Sequence, residues 1–389
     1  MAQARSIRPD RQFLRQASHC GGHFNKCCQC ATCVSACSLS SVENSFPRRQ
    51  MLLAQWGMKD ELMADPGPWL CFYCGDCSRL CPRDANPAEN MMSLRRYLTT
   101  QYDWTGISRL LYSSAAWEFG ALALVAFVVW LLFTLPQSFG FGLLHHSTPQ
   151  ALSTVMLDKF APAAMVHKGD LTLALLLSFL LLTNALRMFR FLTAGRKIPL
   201  SAYAAELREL IVQGAFQLRW KSCDDRNAFK NWLRHFVLVT GYATMFTLVV
   251  VFLPWFQIED SSFHWTSFLG YYATAALVIA TLWIMADRIA KSSEMHRFSH
   301  LSDWLFPILL FLTALSGILM NLFRIAGLPM ATYVTYEVHL MIAVPMLAVE
   351  VPFGKWAHLV YRPLAIYLAG VTQRARSEAP AGVAAAGAA

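Results

Sequence analysis

Ten of the eleven cysteines lie within the first 81 residues, and only Cys223 falls later. Cys27, Cys30, Cys33 and Cys37 form C-x2-C-x2-C-x3-C, and Cys71, Cys74, Cys77 and Cys81 repeat that spacing, with Pro82 following the second set. Two-residue spacers let three thiolates wrap one corner of an iron–sulfur cubane, while the more distant fourth crosses over to ligate the other cubane. The spacing therefore predicts a first 4Fe–4S cluster on Cys27, Cys30, Cys33 and Cys81, and a second on Cys71, Cys74, Cys77 and Cys37. Zinc usually takes paired C-x2-C units, and a disulfide framework belongs to oxidising compartments, so both compete weakly. Ser38 stands where the second set has proline, a difference that bears on cluster potential or type. Cys20 and Cys28 fall outside the spacing and read as buried thiols, and Cys223, on the loop before the third span, reads as structural.

Histidines supply the second chemistry. An ionisable residue inside an apolar helix is a functional hypothesis by default, and imidazole is an axial ligand of haem iron. His339 lies within the apolar stretch YVTYEVHLMIAVPMLAVEV, and His358 follows 19 residues later, past Lys355. On one continuous helix the two would be roughly 28 Å apart and would serve two b haems, one near each membrane face. Pro345 and Pro352 leave their relative rotation open. For the inner haem, His235 is the natural partner of His358, with His300 its rival. For the outer haem, His167 is the first candidate partner of His339, followed by His145 and His146. Asp170, Glu337 and Glu350 are candidates for the proton exchange that a quinone requires, against an ordinary structural role for each.

These residues need elements to hold them. The chain has 389 residues, of which 56% are hydrophobic and only 15% charged. A soluble domain carries nearer a quarter charged, so much of this surface faces something other than water. The polar, cysteine-rich character ends near residue 105. Apolar runs at 116–136, 171–193, 235–258, 267–286, 304–323 and 333–353 are long enough to span a hydrocarbon core of about 30 Å. Six transmembrane helices are predicted. The 194–234 and 287–303 loops are rich in basic residues, including Arg196, Lys197, Arg208, Arg219, Lys221, Arg226 and Arg288, whereas the loops on the opposite side are nearly free of them. The positive-inside rule makes those loops, both termini and the cysteine domain cytoplasmic, with no cleaved signal expected. The formal net charge of +9 then reads as topology rather than nucleic-acid binding. Within the 194–234 loop, AAELRELIVQGAFQLRW reads as an amphipathic helix with Leu207, Leu210, Ile211 and Phe216 roughly on one face, lying on the membrane surface or docking a partner.

With motifs and spans together, the chain resembles the membrane C subunits of quinone-interacting membrane-bound oxidoreductase (Qmo) complexes. The most specific stretch is FPRRQMLLAQWGMKDELMADPGPWLCFYCGDCSRLCPRDANP, residues 46–87. Residues 1–105 also resemble the C subunit of heterodisulfide reductase. LRHFVLVTGY and EVHLMIAVPMLAVEVPFGKWAHL are similar to the E subunit of that enzyme, a cytochrome b, and more distantly to the gamma subunit of nitrate reductase. The resemblance implies a mainly α fold: a bacterial-type two-cluster ferredoxin-like domain over 1–105 and a six-span cytochrome b bundle over 106–372 with the 194–234 loop; the Ala/Gly tail over 373–389, which it does not cover, reads as disordered from its low-complexity composition. The resemblance also implies a subunit of a quinone-dependent oxidoreductase with two 4Fe–4S clusters, one or two b haems and menaquinone as substrate. That subunit relays electrons and has no independent turnover. Soluble flavin and iron–sulfur subunits A and B would link it to adenylylsulfate reductase in dissimilatory sulfur metabolism. The alternatives are the membrane subunit of another quinone-linked complex, of heterodisulfide reductase or tricarballylate-oxidising type, and a non-redox membrane anchor.

Overall fold

The structure, a computed structural model, describes residues 9–134, 153–219, 228–257 and 264–378, and among these it consists of helices and turns with no strand. His145, His146, Cys223 and residues 379–389 of the tail lie outside the described residues, while 373–378, expected to be part of a disordered tail, form the end of a helix. Among the described residues six helices are long and apolar enough to cross a membrane: Ala115–Thr134, Ala163–Thr193, Ala228–Val250, Trp265–Ile289, Leu301–Ile325 and Pro329–Phe353, here the first to sixth spans. They make this a multi-pass membrane protein by length and composition. Leu175, Phe179, Leu182 and Leu186 recur at helical spacing along the second span and are all exposed. Such a stripe has no reason to face water.

The spans pack through small residues. A Cβ added to Gly241 in the third span would stand 2.9 Å from the Cβ of Ala276 in the fourth, so glycine is what lets these helices approach. The sixth span is the most enclosed: 44% of its apolar window is buried, against 17% for the second. It is also the least regular. Pro352 cannot donate to the carbonyl four residues back, and a π turn over Met346–Glu350 immediately precedes it. The chain then breaks at Gly354, makes a short 3-10 turn over Lys355–Ala357 and starts a separate helix, His358–Glu378. His339 and His358 therefore do not share one continuous helix, and the rise of a single helix does not give their separation.

The cysteine domain is organised around the helix Pro87–Tyr102, which starts where the left-handed Asn86 hands over to a proline in the first turn. Its buried face carries Met91, Leu94, Tyr97 and Leu98, and the Tyr97 ring meets Phe13 edge-on at 4.7 Å. The same core takes in Trp69, Tyr102 and, from the far end of the chain, Tyr361, Ala365 and Val371. Tyr361 packs edge-on against both Trp69 and Tyr102 at 5.4 Å, contacts worth about 0.5–1.5 kcal/mol each beyond their buried area. The change of composition near residue 105 is thus not a boundary between cores, because the helix after the sixth span returns to complete the first domain. The amphipathic segment forms the helix Leu207–Ala215, but its apolar residues divide: Leu210 packs onto this core while Leu207, Ile211 and Phe216 face outward.

Candidate functional site

The two cysteine motifs adopt the same local conformation. Gln29 and Tyr73, each two residues after the first cysteine of its set, have φ of 60°, and Ala31 and Gly75, each following the second cysteine, are also left-handed. A four-residue helix follows in both, Thr32–Ser35 and Asp76–Arg79, burying Cys33 and Cys77. These left-handed residues curl each loop so that its cysteines face one centre. Cys81 stands with Cys27 and Cys33, and these three, with Cys28 and Cys30, line one small cavity. Cys37 stands with Cys71 and Cys74, and Cys77 with Cys71, Cys74 and Cys37. The two groups adjoin, since Cys33 is also a neighbour of Cys37 and Cys77.

This donor set fits the clusters that the spacing implies. Backbone N–H groups of Tyr73 and Ala85 donate to the sulfurs of Cys71 and Cys81, both at 3.3 Å, the kind of donor that tunes an iron-bound thiolate. Burial pushes the Cys33 and Cys37 thiols up to about 11, and Cys77 higher still, so ligation there must displace protons. Cys30 is exposed and is shifted the other way by hydrogen bonds from Thr32. Among the described residues, no three His, Cys, Asp or Glu side chains converge tightly enough to hold a single metal ion. Cubane ligands are spread around the corners of a cluster and need no such convergence.

The histidines separate into one pair and several singles. His235 and His358 face one another with ring centroids 6.3 Å apart. An iron held by two imidazole nitrogens, each about 2 Å away, sets ring centres roughly 6 Å apart. His358 Nδ1 donates to the carbonyl of Lys355 at 2.5 Å, which leaves Nε2 to act as a ligand. Burial lowers the His358 pKa to about 4, opposed by that hydrogen bond and reinforced by the charges of Lys355, Arg362 and Arg95. The ring is therefore neutral near pH 7, the form that binds iron. Both rings line a cavity of about 290 Å³ whose walls are apolar at Leu238, Tyr242, Phe306 and Trp356 and cationic at Arg95, Lys355 and Arg362. Apolar walls suit a macrocycle and the cations suit its propionates, so the residues present fit a b-type haem.

His300 instead caps the fifth span, its Nδ1 meeting the Ser302 hydroxyl at 3.1 Å. His339 meets the Ser316 hydroxyl at 3.0 Å. Nothing in the described structure pairs it with His167, whose Nδ1 is buried without a hydrogen-bond partner among the described residues. Glu337 and Glu350 are buried, and Glu350 lies against Glu118 of the first span.

Phe72 and Tyr73, which lie between the first two cysteines of the second set, form part of the wall of the histidine cavity. Arg95 and Arg362 both donate to the carbonyl of Cys71, and Arg362 stands one turn along the helix that begins at His358. Sequence reasoning missed Arg95, Arg96, Asp303, Lys355 and Arg362. The available signal was charge retained at span ends and beside a candidate ligand.

Residues 26–86 match the family model of the 4Fe-4S dicluster domain, which supports two 4Fe–4S clusters. Over 77 residues the chain is 38% identical to a protein of Archaeoglobus profundus that is like the C subunit of heterodisulfide reductase, covering 20% of this chain and 41% of that one. Over 76 residues it is 36% identical to the C subunit of the H(2):CoB-CoM heterodisulfide,ferredoxin reductase of Methanothermobacter thermautotrophicus, covering 19% and 40%. The Methanothermobacter marburgensis protein of the same name is also 36% identical over 76 residues. The chain thus spans about two fifths of the length of the curated relatives it matches. No solved structure matches.

Proposed function

We propose that this chain is the membrane subunit of a quinone-linked oxidoreductase complex, relaying electrons between the quinone pool and redox subunits outside the bilayer. The observation that carries the reading is the shared wall: the second cysteine loop lines the cavity that His235 and His358 face. Bound at these sites, the two clusters and a b-type haem supply one-electron storage and transfer. The residues of the chain do the rest. Eight cysteines hold the clusters, as Cys27, Cys30, Cys33, Cys81 and Cys71, Cys74, Cys77, Cys37. His235 and His358 hold the haem, with Lys355 fixing the tautomer of His358. Leu238, Phe306 and Trp356 exclude water, and Arg95 and Arg362 tie the second cysteine loop to the helix that carries His358.

The finer reading is the C subunit of a Qmo complex in the cytoplasmic membrane, with both termini cytoplasmic, menaquinone as substrate, and flavin and iron–sulfur subunits A and B connecting it to adenylylsulfate reductase. The stretch 46–87 and the basic loops support it. A second reading, the membrane subunit of a heterodisulfide reductase-like complex, is favoured by the relatives over the cysteine domain. The test is to purify the chain anaerobically with its native partners and add a menaquinol analogue. Reduction of b-type absorption bands, with flavin and iron–sulfur partners that pass electrons to adenylylsulfate reductase, is expected. Partners that reduce a heterodisulfide would favour the second reading. Protein without haem absorption or acid-labile sulfide would overturn both.

A further inference from the structure

A continuous chain of polar contacts runs from the second cysteine loop to His358. The Tyr73 hydroxyl donates to Glu89 at 2.5 Å. Arg96 donates to Glu89 at 3.0 Å and to Asp303 at 3.1 Å, so it bridges the cysteine domain and the fifth span. The Lys355 ammonium is ion-paired to the other oxygen of Asp303, and the carbonyl of Lys355 accepts from His358 Nδ1. Charges alternate along the path: Glu89 negative, Arg96 positive, Asp303 negative, Lys355 positive. Arg96 and Asp303 are each only 6% exposed.

Holding a domain against a bundle does not require buried charge; well-packed apolar residues of similar volume do as well or better. The segment that carries Lys355 is also short and singular. Gly354 sits where a Cβ would run into the Glu350 carboxylate, so glycine lets the chain break closely past Glu350 between the sixth span and His358. The Asp303 ion pair holds Lys355 in this short segment, and the carbonyl of Lys355 in turn holds the ring of His358.

We propose that Asp303 is a positioning residue whose paired charges, shared with Lys355 and Arg96, set the orientation and redox potential of the His358 site and make both depend on the seating of the cysteine domain. The inference rests on His358 being a haem ligand. A negative charge at Asp303 favours the oxidised, more positive iron, and the cations at Lys355 and Arg96 favour the reduced form. Removing one partner should therefore move the potential in a direction fixed by its sign.

The test is a spectroelectrochemical titration of the full-length, haem-loaded chain, with haem content and α-band position recorded for each variant. Asp303→Asn should raise the haem midpoint potential, and Lys355→Met should lower it. The double variant should lie closer to wild type than either single one. Arg96→Met, which touches neither histidine, should also lower the potential, whereas Asp303→Glu should restore the wild-type value. Unmoved potentials at full haem content would overturn the proposal and leave the network a structural tie. If Asp303→Asn or Lys355→Met fails to accumulate, Asp303→Glu and Arg96→Met decide: a lowered potential in Arg96→Met with the wild-type value in Asp303→Glu supports the coupling, and a wild-type potential in Arg96→Met at full haem content overturns it. A wild-type chain without a b-type spectrum would instead sink the functional reading on which the inference stands.

Discussion

The two cysteine loops share spacing, left-handed residues and a following short helix, yet they occupy opposite surroundings. The first, over Cys27–Cys37, leaves Cys28 and Cys30 exposed. The second, over Cys71–Cys81, buries Cys71 beneath Arg95 and Arg362, the latter on the helix that starts at His358, whereas Cys33 and Cys77 are buried alike. One position shows the difference: Cys28 in the first loop is solvent-exposed and not the buried thiol expected from the sequence, whereas its counterpart Phe72 lines the histidine cavity and lies under Arg219 at 5.5 Å. A shared ligand pattern thus fixes local geometry, and tertiary context gives direction. One loop faces outward, where a soluble partner can reach it, and the other faces the membrane helices.

This contrast can be broken in stages. The largest effect is expected from removing a ligand. Cys71→Ala should cost one cluster's iron and sulfide and also lower haem content, because the loop is a wall of the haem cavity. Cys30→Ala should cost a cluster and leave haem content unchanged, as read by iron and sulfide assay beside pyridine haemochrome absorption. Next comes Arg96→Met, which strands Glu89 and Asp303 without their buried partner and should cost about 3–5 kcal/mol, seen as a lowered unfolding temperature in detergent. By comparison Arg49, 45% exposed in its pair with Asp65, should cost no more than about 1 kcal/mol when changed to Ala. The smallest effect is at Cys28. Cys28→Ser should leave iron and sulfide at wild-type levels, and in the native chain a thiol reagent should label Cys28 but not Cys20. Burial encloses Cys20 and pushes its thiol up to about 12, so raising the pH to 9 should not expose it.

Much of this arrangement was legible in the sequence because it depends on local pattern. Cysteine spacing encodes which thiols gather, and hydropathy encodes the spans; the structure gathers the same sets and places six long apolar helices where the runs lie. The pairing of His235 with His358 rested on both lying toward the cytoplasmic side in the sequence, and the structure sets the two rings face to face. The continuity of the sixth span was not legible, since Pro345, Pro352 and Gly354 permit either a kink or a break and only packing selects between them. The polar path was least legible. Arg96 and Asp303 are 207 residues apart, and no period or motif relates them. The apparent division near residue 105 also misled, because Tyr361 and Val371 belong to the first core.

The account turns on His358 and His235 holding a haem beside the second cysteine loop. Its most direct test is the reduced-minus-oxidised absorption spectrum of the anaerobically purified full-length chain and its His358→Ala variant, measured with acid-labile sulfide on the same samples. The account predicts a b-type α band in the wild type, loss of that component in the variant, and equal sulfide in both. A variant that keeps the whole band would contradict it, as would a wild type that has none.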